Sequence, residues 1–170
     1  MARLPKINTD RLRELEQLLR KVKPKQFNMC RWGHSLSDND VLGEEDYKNP
    51  KCHTSGCAFG TAAVHKPFVE QGLSLVRDGG AGSECTSYHV EYKNERESFG
   101  AAMKFFGLTR VEAHYLFDPN YYSSVGGQYG IKPKQVADRI EWMLDQGIQH
   151  WSGHRRALET AIECGWVSER

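Results

Sequence analysis

The run Cys-His-Thr-Ser-Gly-Cys-Ala-Phe-Gly-Thr-Ala-Ala-Val-His at residues 52–65 constrains the fold more than any other stretch. It places two thiols, two imidazoles and a helix start within one short segment. Gly56, Ala58, Gly60, Ala62 and Ala63 leave little side chain on any face of the helix expected over residues 56–65. Neighbouring elements can therefore approach its backbone closely, which marks it as a buried central helix. Thr54 or Ser55 is placed to cap the first turn, since a hydroxyl accepts from a backbone N–H that has no intrahelical partner. Pro67 disfavours the α conformation at Lys66 and is expected to end the helix.

The rest of the chain arranges itself around that helix. Leu12, Leu15, Leu18, Leu19 and Val22 recur at helical spacing after the caps offered by residues 8–10, and Pro24 closes the segment. Phe27, Met29 and Trp32 lie in a short stretch expected to be extended and to insert apolar side chains into the core. Residues 33–51 are polar, acidic and rich in turn formers, the composition of a surface loop. Residues 73–76 and 88–92 read as two strands joined by a glycine-rich hairpin loop at 78–84. Such a ribbon is marginal alone and must lie on the helices.

A helix over 97–106 ends at Gly107, and Thr109 opens the next, with Glu112 completing a capping box and Leu108 as the staple residue. The apolar face of that second helix is expected to be Val111, Tyr115, Leu116 and Phe117. Pro133 starts a further helix whose Val136, Ile140, Met143 and Leu144 face inward, and residues 148–170 form a helical extension. The expectation is a mainly α (α+β) fold. It is a single domain over 1–170, compact around the small-residue helix and carrying a two-stranded β ribbon.

At 170 residues the chain is long enough to bury a core without staples. A formal net charge of +1 gives no global pull toward nucleic acid or a membrane surface. No run of about 18 apolar residues is present, and the expected location is cytoplasmic. The five cysteines are then expected to be thiols or ligands. The helix pair at 97–117 resembles a helix-turn-helix in spacing, but its second member presents Arg110, Glu112, Ala113 and His114, too weakly charged for a recognition helix, so nucleic acid is disfavoured.

In order, the chain carries Phe27-Asn28-Met29 with Trp32, then Cys-x-Thr-x-x-Cys-x-x-Gly-x-Ala at residues 52–62. Phe-Gly-Leu-Thr-x-x-Glu-Ala-x-x-Leu-Phe at 106–117 and Val136-x-x-Arg139-Ile140 follow. This ordered set resembles a family of small uncharacterised proteins of bacteriophages and bacterial genomes, over roughly residues 27–144. The resemblance implies a phage or prophage setting, hence the cytoplasm of a host cell, and transfers no catalytic role. The chain departs from the pattern at His53, where glycine is usual, in the acidic stretch before Cys52, in the glycine-rich ribbon and in the tail beyond Gln146.

Three kinds of site follow from the residues. Cys52, Cys57, His53 and Cys30 offer nitrogen and sulfur donors, so zinc is the metal to consider, although only one cysteine pair is evident where structural zinc sites use two. Cys57 lies on an apolar helix, where a free cysteine behaves as a small buried hydrophobe, so Cys52 and Cys57 are expected first as buried structural thiols, with a metal site, a disulfide or a reactive thiol as the alternatives. In a first helical turn Cys57 also has the environment of an activated thiol, for which His53 could be the base. His65, eight residues on and roughly 12 Å along the axis, is too far to serve as its base.

The same helix start, with Thr54, Ser55, Gly56 and Cys57 and with Arg31 nearby, could receive an anionic small ligand or nucleotide. Tyr121, Tyr122 and Tyr129 on a glycine-rich loop have the composition of a protein-contact surface. The leading expectation is a non-enzymatic accessory protein that binds a host macromolecule, for host takeover or to blunt a defence. A small-ligand binder and a zinc-dependent or cysteine enzyme are the alternatives, and no cofactor is required.

Overall fold

The computed structural model describes residues 6–35, 41–48, 55–78, 86–122 and 130–145. The first helix, α1 (Thr9–Leu19), starts where the Asn8 side chain accepts from the Arg11 N–H at 3.1 Å. Leu12, Leu15 and Leu19 are fully buried on one face. Glu16 is also buried and pairs with Arg20.

Next come strand β1 (Gly33–Ser35), strand β2 (Val41–Leu42) and the short helix α2 (Glu44–Lys48). Helix α3 (Ala58–Val64) has every residue buried, as its small side chains require. Helix α4 (Lys66–Val69) leads into strands β3 (Leu73–Arg77) and β4 (Thr86–Tyr92). The chain continues through α5 (Ser98–Phe106) and α6 (Arg110–Phe117) to α7 (Pro133–Asp145).

The expected two-stranded ribbon is overturned: the fold is α+β, with seven α-helices and a four-stranded antiparallel sheet among the described residues. The strand order is β1-β4-β3-β2, so the β3–β4 hairpin forms the sheet's centre. Gly33 faces Tyr88 at one edge and Val41 faces Val76 at the other. Both added strands come from the stretch expected to be a surface loop. Strands of three and two residues are too short to display alternation, and their turn-rich surroundings mask them. They form because β3 and β4 each have a free edge to pair. One face of the sheet carries the buried Leu42, Leu73, Leu75, Tyr88, Val90 and Tyr92, and α3 packs against β3 and β4 on one side and α1 on another.

Local signals act as expected in the second half. Gly107 closes α5 in the left-handed conformation at φ 66°, and Thr109 and Glu112 form a complete capping box. Val136, Ile140, Met143 and Leu144 are buried on α7. Val111 is a correction, since it is 40% exposed, while Glu112 and Ala113 are buried with Leu116 and Phe117. Proline at 67 does more than stop α3, because it occupies the first turn of α4, where its missing N–H costs nothing. The hairpin loop at 79–84 and the C-terminal extension from 148 lie outside the described residues.

Candidate functional site

The start of α3 is built into the core. Its N-cap is Cys57, whose Sγ accepts from the Gly60 N–H at 3.4 Å. The Cys57 N–H donates to the Arg31 carbonyl at 2.7 Å and the Gly56 N–H to the Gln26 carbonyl at 3.3 Å. Ser55 exchanges backbone hydrogen bonds with His34. The amides expected to face a ligand are thus committed to the segment 26–34. Burial pushes the Cys57 thiol up to about 12, against the opposing hydrogen bonds at the helix start. It is held as a neutral thiol at pH 7, the less nucleophilic state.

Cys52, His53 and Thr54 lie outside the described residues, as does Tyr129. No group of three or more His, Cys, Asp and Glu able to hold a metal occurs among the described residues. Zinc and an ordered Thr54 cradle are therefore expectations to which the structure adds only the commitments of Ser55, Gly56 and Cys57.

Cys30 and Arg31, expected to serve two different sites, are brought together at one cleft. Its walls are Met29, Cys30, Arg31 and Trp32 on one side and Phe99, Phe117, Asp118, Pro119 and Asn120 on the other, around about 220 Å³. The sequence places the first wall here because Phe27 bridges to Gly56 and His34 to Ser55, which pins both ends of the segment against the approach to α3. Met29 and Phe117 form a buried floor. Phe99 is held between the His114 ring, stacked at 3.9 Å, and Trp32, edge-on at 4.9 Å.

The second wall is a tight turn. Asp118 Oδ1 accepts from both the backbone N–H and the side-chain Nδ2 of Asn120, each at 2.9 Å, and Oδ2 lies 3.2 Å from His114 Nδ1. This is the local chemistry of an Asx turn. One carboxylate oxygen is thus engaged within the turn and the other by His114 of α6. Arg31 is exposed, and among the described residues no carboxylate pairs with its guanidinium. Cys30 is held above its ordinary pKa by burial, with Arg31 pulling the other way.

Behind the turn stands Arg139 of α7. It donates to the carbonyls of Tyr115 and Tyr121, both at 2.7 Å, and its guanidinium lies 3.5 Å from the Tyr122 ring centroid and 4.4 Å from that of Tyr115. Tyr122 in turn donates its hydroxyl to the Leu116 carbonyl at 2.7 Å. Its pKa is raised by burial. Of the two described tyrosines expected on a contact loop, Tyr122 is thus a structural pin and Tyr121 is presented outward at 52% exposure.

Compared with protein-family models, curated proteins and solved structures, the chain matches none. No helix among the described residues is long and apolar enough to cross a membrane. The site's composition therefore rests on its own geometry. Trp32 and Phe99 are apolar residues expected only to pack, Arg139 enters the sequence reading only within the motif resemblance, and Asn120 carries no expectation there. The Asp-Pro-Asn run at 118–120 was the available signal for the turn, since Asp is placed to bond the amide two residues on.

Proposed function

We propose that the protein is a non-enzymatic accessory protein that binds a host macromolecule, a protein, through the 118–122 turn and the cleft beside it. A phage or prophage setting, with host takeover or suppression of a defence as the role, rests on the motif resemblance. The observation that carries the binding reading is Tyr121, half-exposed on a turn that Arg139 holds from behind. An aromatic side chain presented on a preordered frame loses little conformational freedom on association, which is how small contact surfaces reach useful affinity. The Cys57 thiol nearby is buried and neutral, which favours contact over cysteine chemistry.

The test is quantitative affinity capture from bacterial lysate with the wild type, Tyr121→Ala and, as a control at another exposed apolar residue, Val69→Ala. A partner enriched by the wild type and by Val69→Ala but lost with Tyr121→Ala is expected. Enrichment of nothing by the wild type, or retention of every partner by Tyr121→Ala, overturns the reading.

A further inference from the structure

We infer that the cleft between residues 29–32 and 117–120 receives one aromatic side chain of a protein partner, with a carboxylate beside that side chain pairing to Arg31. The inference rests on the binding function proposed above and names the chemistry that the partner brings.

Size decides the first half. Pockets for drug-sized ligands and cofactors run to roughly 300–1,000 Å³, while an apolar cavity of about 150 Å³ holds a benzene ring. At about 220 Å³ the cleft matches a single ring with a short stem. Its surfaces suit a ring. Met29 and Phe117 provide a buried apolar floor, and Phe99 and Trp32, which meet almost perpendicularly at 84°, add two aromatic rings to the lining that a third can pack against. The stacked His114 fixes Phe99 from the far side, so this wall is already ordered before anything binds.

Charge decides the second half. Two charged residues line the cleft, Arg31 and Asp118. Both oxygens of Asp118 already have partners, one in Asn120 and the other in His114, which leaves Arg31 as the charged group of the cleft with donors to offer. Arg31 has its backbone fixed by the Cys57 N–H and its guanidinium exposed at the cleft, with no carboxylate partner among the described residues. A planar fork of donors beside an aromatic slot matches a carboxylate one or two residues from an inserted ring.

The experiment is a titration of the full chain, followed by amide and indole NMR signals, with three defined probes: 3-phenylpropionate, 3-phenylpropylamine and propionate. The expected result is that 3-phenylpropionate shifts the Trp32 indole N–H and the Arg31 and Asn120 amides with millimolar affinity, an affinity on the order of 4 kcal/mol. The amine and propionate should bind at least about tenfold more weakly, a difference of roughly 1.4 kcal/mol. Arg31→Ala should remove the preference for the acid over the amine, and Arg31→Lys should retain part of it.

Equal or tighter binding of the amine, an unchanged preference in Arg31→Ala, or no shift at about 10 mM probe overturns the inference. The probes report on the cleft alone. Their failure with Tyr121-dependent capture intact removes only this inference, whereas probe binding with Tyr121-independent capture removes the proposed function.

Discussion

Gly60 of α3 and the Trp32 carbonyl meet backbone to backbone: a Cβ built on Gly60 would lie 1.5 Å from the Trp32 oxygen. That contact sets the distance between the central helix and the segment that forms one wall of the cleft. It explains why a helix expected from its small residues to be approached closely is in fact approached at this residue, and by main chain that has no rotamer with which to move aside.

Gly60→Ala is therefore expected to destabilise the fold by more than the ~1–3 kcal/mol typical of core overpacking. Because the displaced atoms belong to Trp32, the substitution should also alter the cleft. Urea unfolding and Trp fluorescence check it. A variant with wild-type midpoint and emission would show that the Trp32 main chain yields to the added methyl group at no cost.

The capping box at α6 is a second local device with a buried cost. Thr109 donates to Glu112 Oε2 from its N–H at 2.7 Å and from its hydroxyl at 2.9 Å, and the Glu112 N–H donates back to the hydroxyl at 3.3 Å. Glu112 is wholly buried. Glu112→Ala leaves two buried donors without an acceptor, at about 1–3 kcal/mol, while Thr109→Ser keeps the box and should cost less than about 1 kcal/mol. Chemical denaturation of the pair measures the difference, and equal losses would mean that the Thr109 methyl, not the box, stabilises α6.

These contacts show what was legible in the chain and what was not. Asn8, Gly107, the Thr109–Glu112 box and Pro133 act through neighbours a few residues away, so spacing alone identified them. The cap of α3 was misplaced because hydroxyls are the stronger acceptors, yet Cys57 takes the position once its N–H is held by the Arg31 carbonyl. Gly33–Ser35 and Val41–Leu42 became strands only through pairing with Tyr88 and Val76, far along the chain. The cleft was equally hidden, for it needs Trp32, Phe99 and Asn120 from three separated segments. Arg31, Cys30 and Tyr121 were recognised as residue types, but their adjacency is a product of tertiary packing.

Alkaline pH should weaken the fold through Cys57. Its thiol rises from an ordinary value of 9.0 to about 12 on folding, so between those values the unfolded chain has lost a proton that the folded chain keeps. Stability is fully present below about pH 9 and falls by about 1.4 kcal/mol per pH unit above it, until about pH 12. Tyr122, also raised by burial, adds to the fall above pH 10, its ordinary value. Urea midpoints of wild type and Cys57→Ser across this window check the sign. The serine variant should show a shallower decline, and identical slopes would remove Cys57 as the cause.

Arg139 is the residue whose replacement best separates frame from contact. Its guanidinium stacks on Tyr122 and Tyr115 while its two terminal nitrogens hold the Tyr115 and Tyr121 carbonyls. Lysine keeps the charge but cannot stack as a plane or reach two carbonyls from a fixed fork. Arg139→Lys is expected to lose about 1–3 kcal/mol from the combined stacking and charged hydrogen bonds. It should also raise hydrogen exchange at the Tyr121 and Tyr122 amides, which close the turn on Asp118 and Pro119. Tyr122→Phe removes only the 2.7 Å bond to the Leu116 carbonyl and keeps the ring under the guanidinium, so it should cost about 1 kcal/mol. If Tyr121 binds by being held ready, Arg139→Lys will weaken capture of the partner at temperatures where the fold is intact, and Tyr122→Phe will not. Loss of stability in Arg139→Lys with unaltered exchange at Tyr121 and undiminished capture would show that the turn keeps its order without Arg139, and that the frame lies elsewhere.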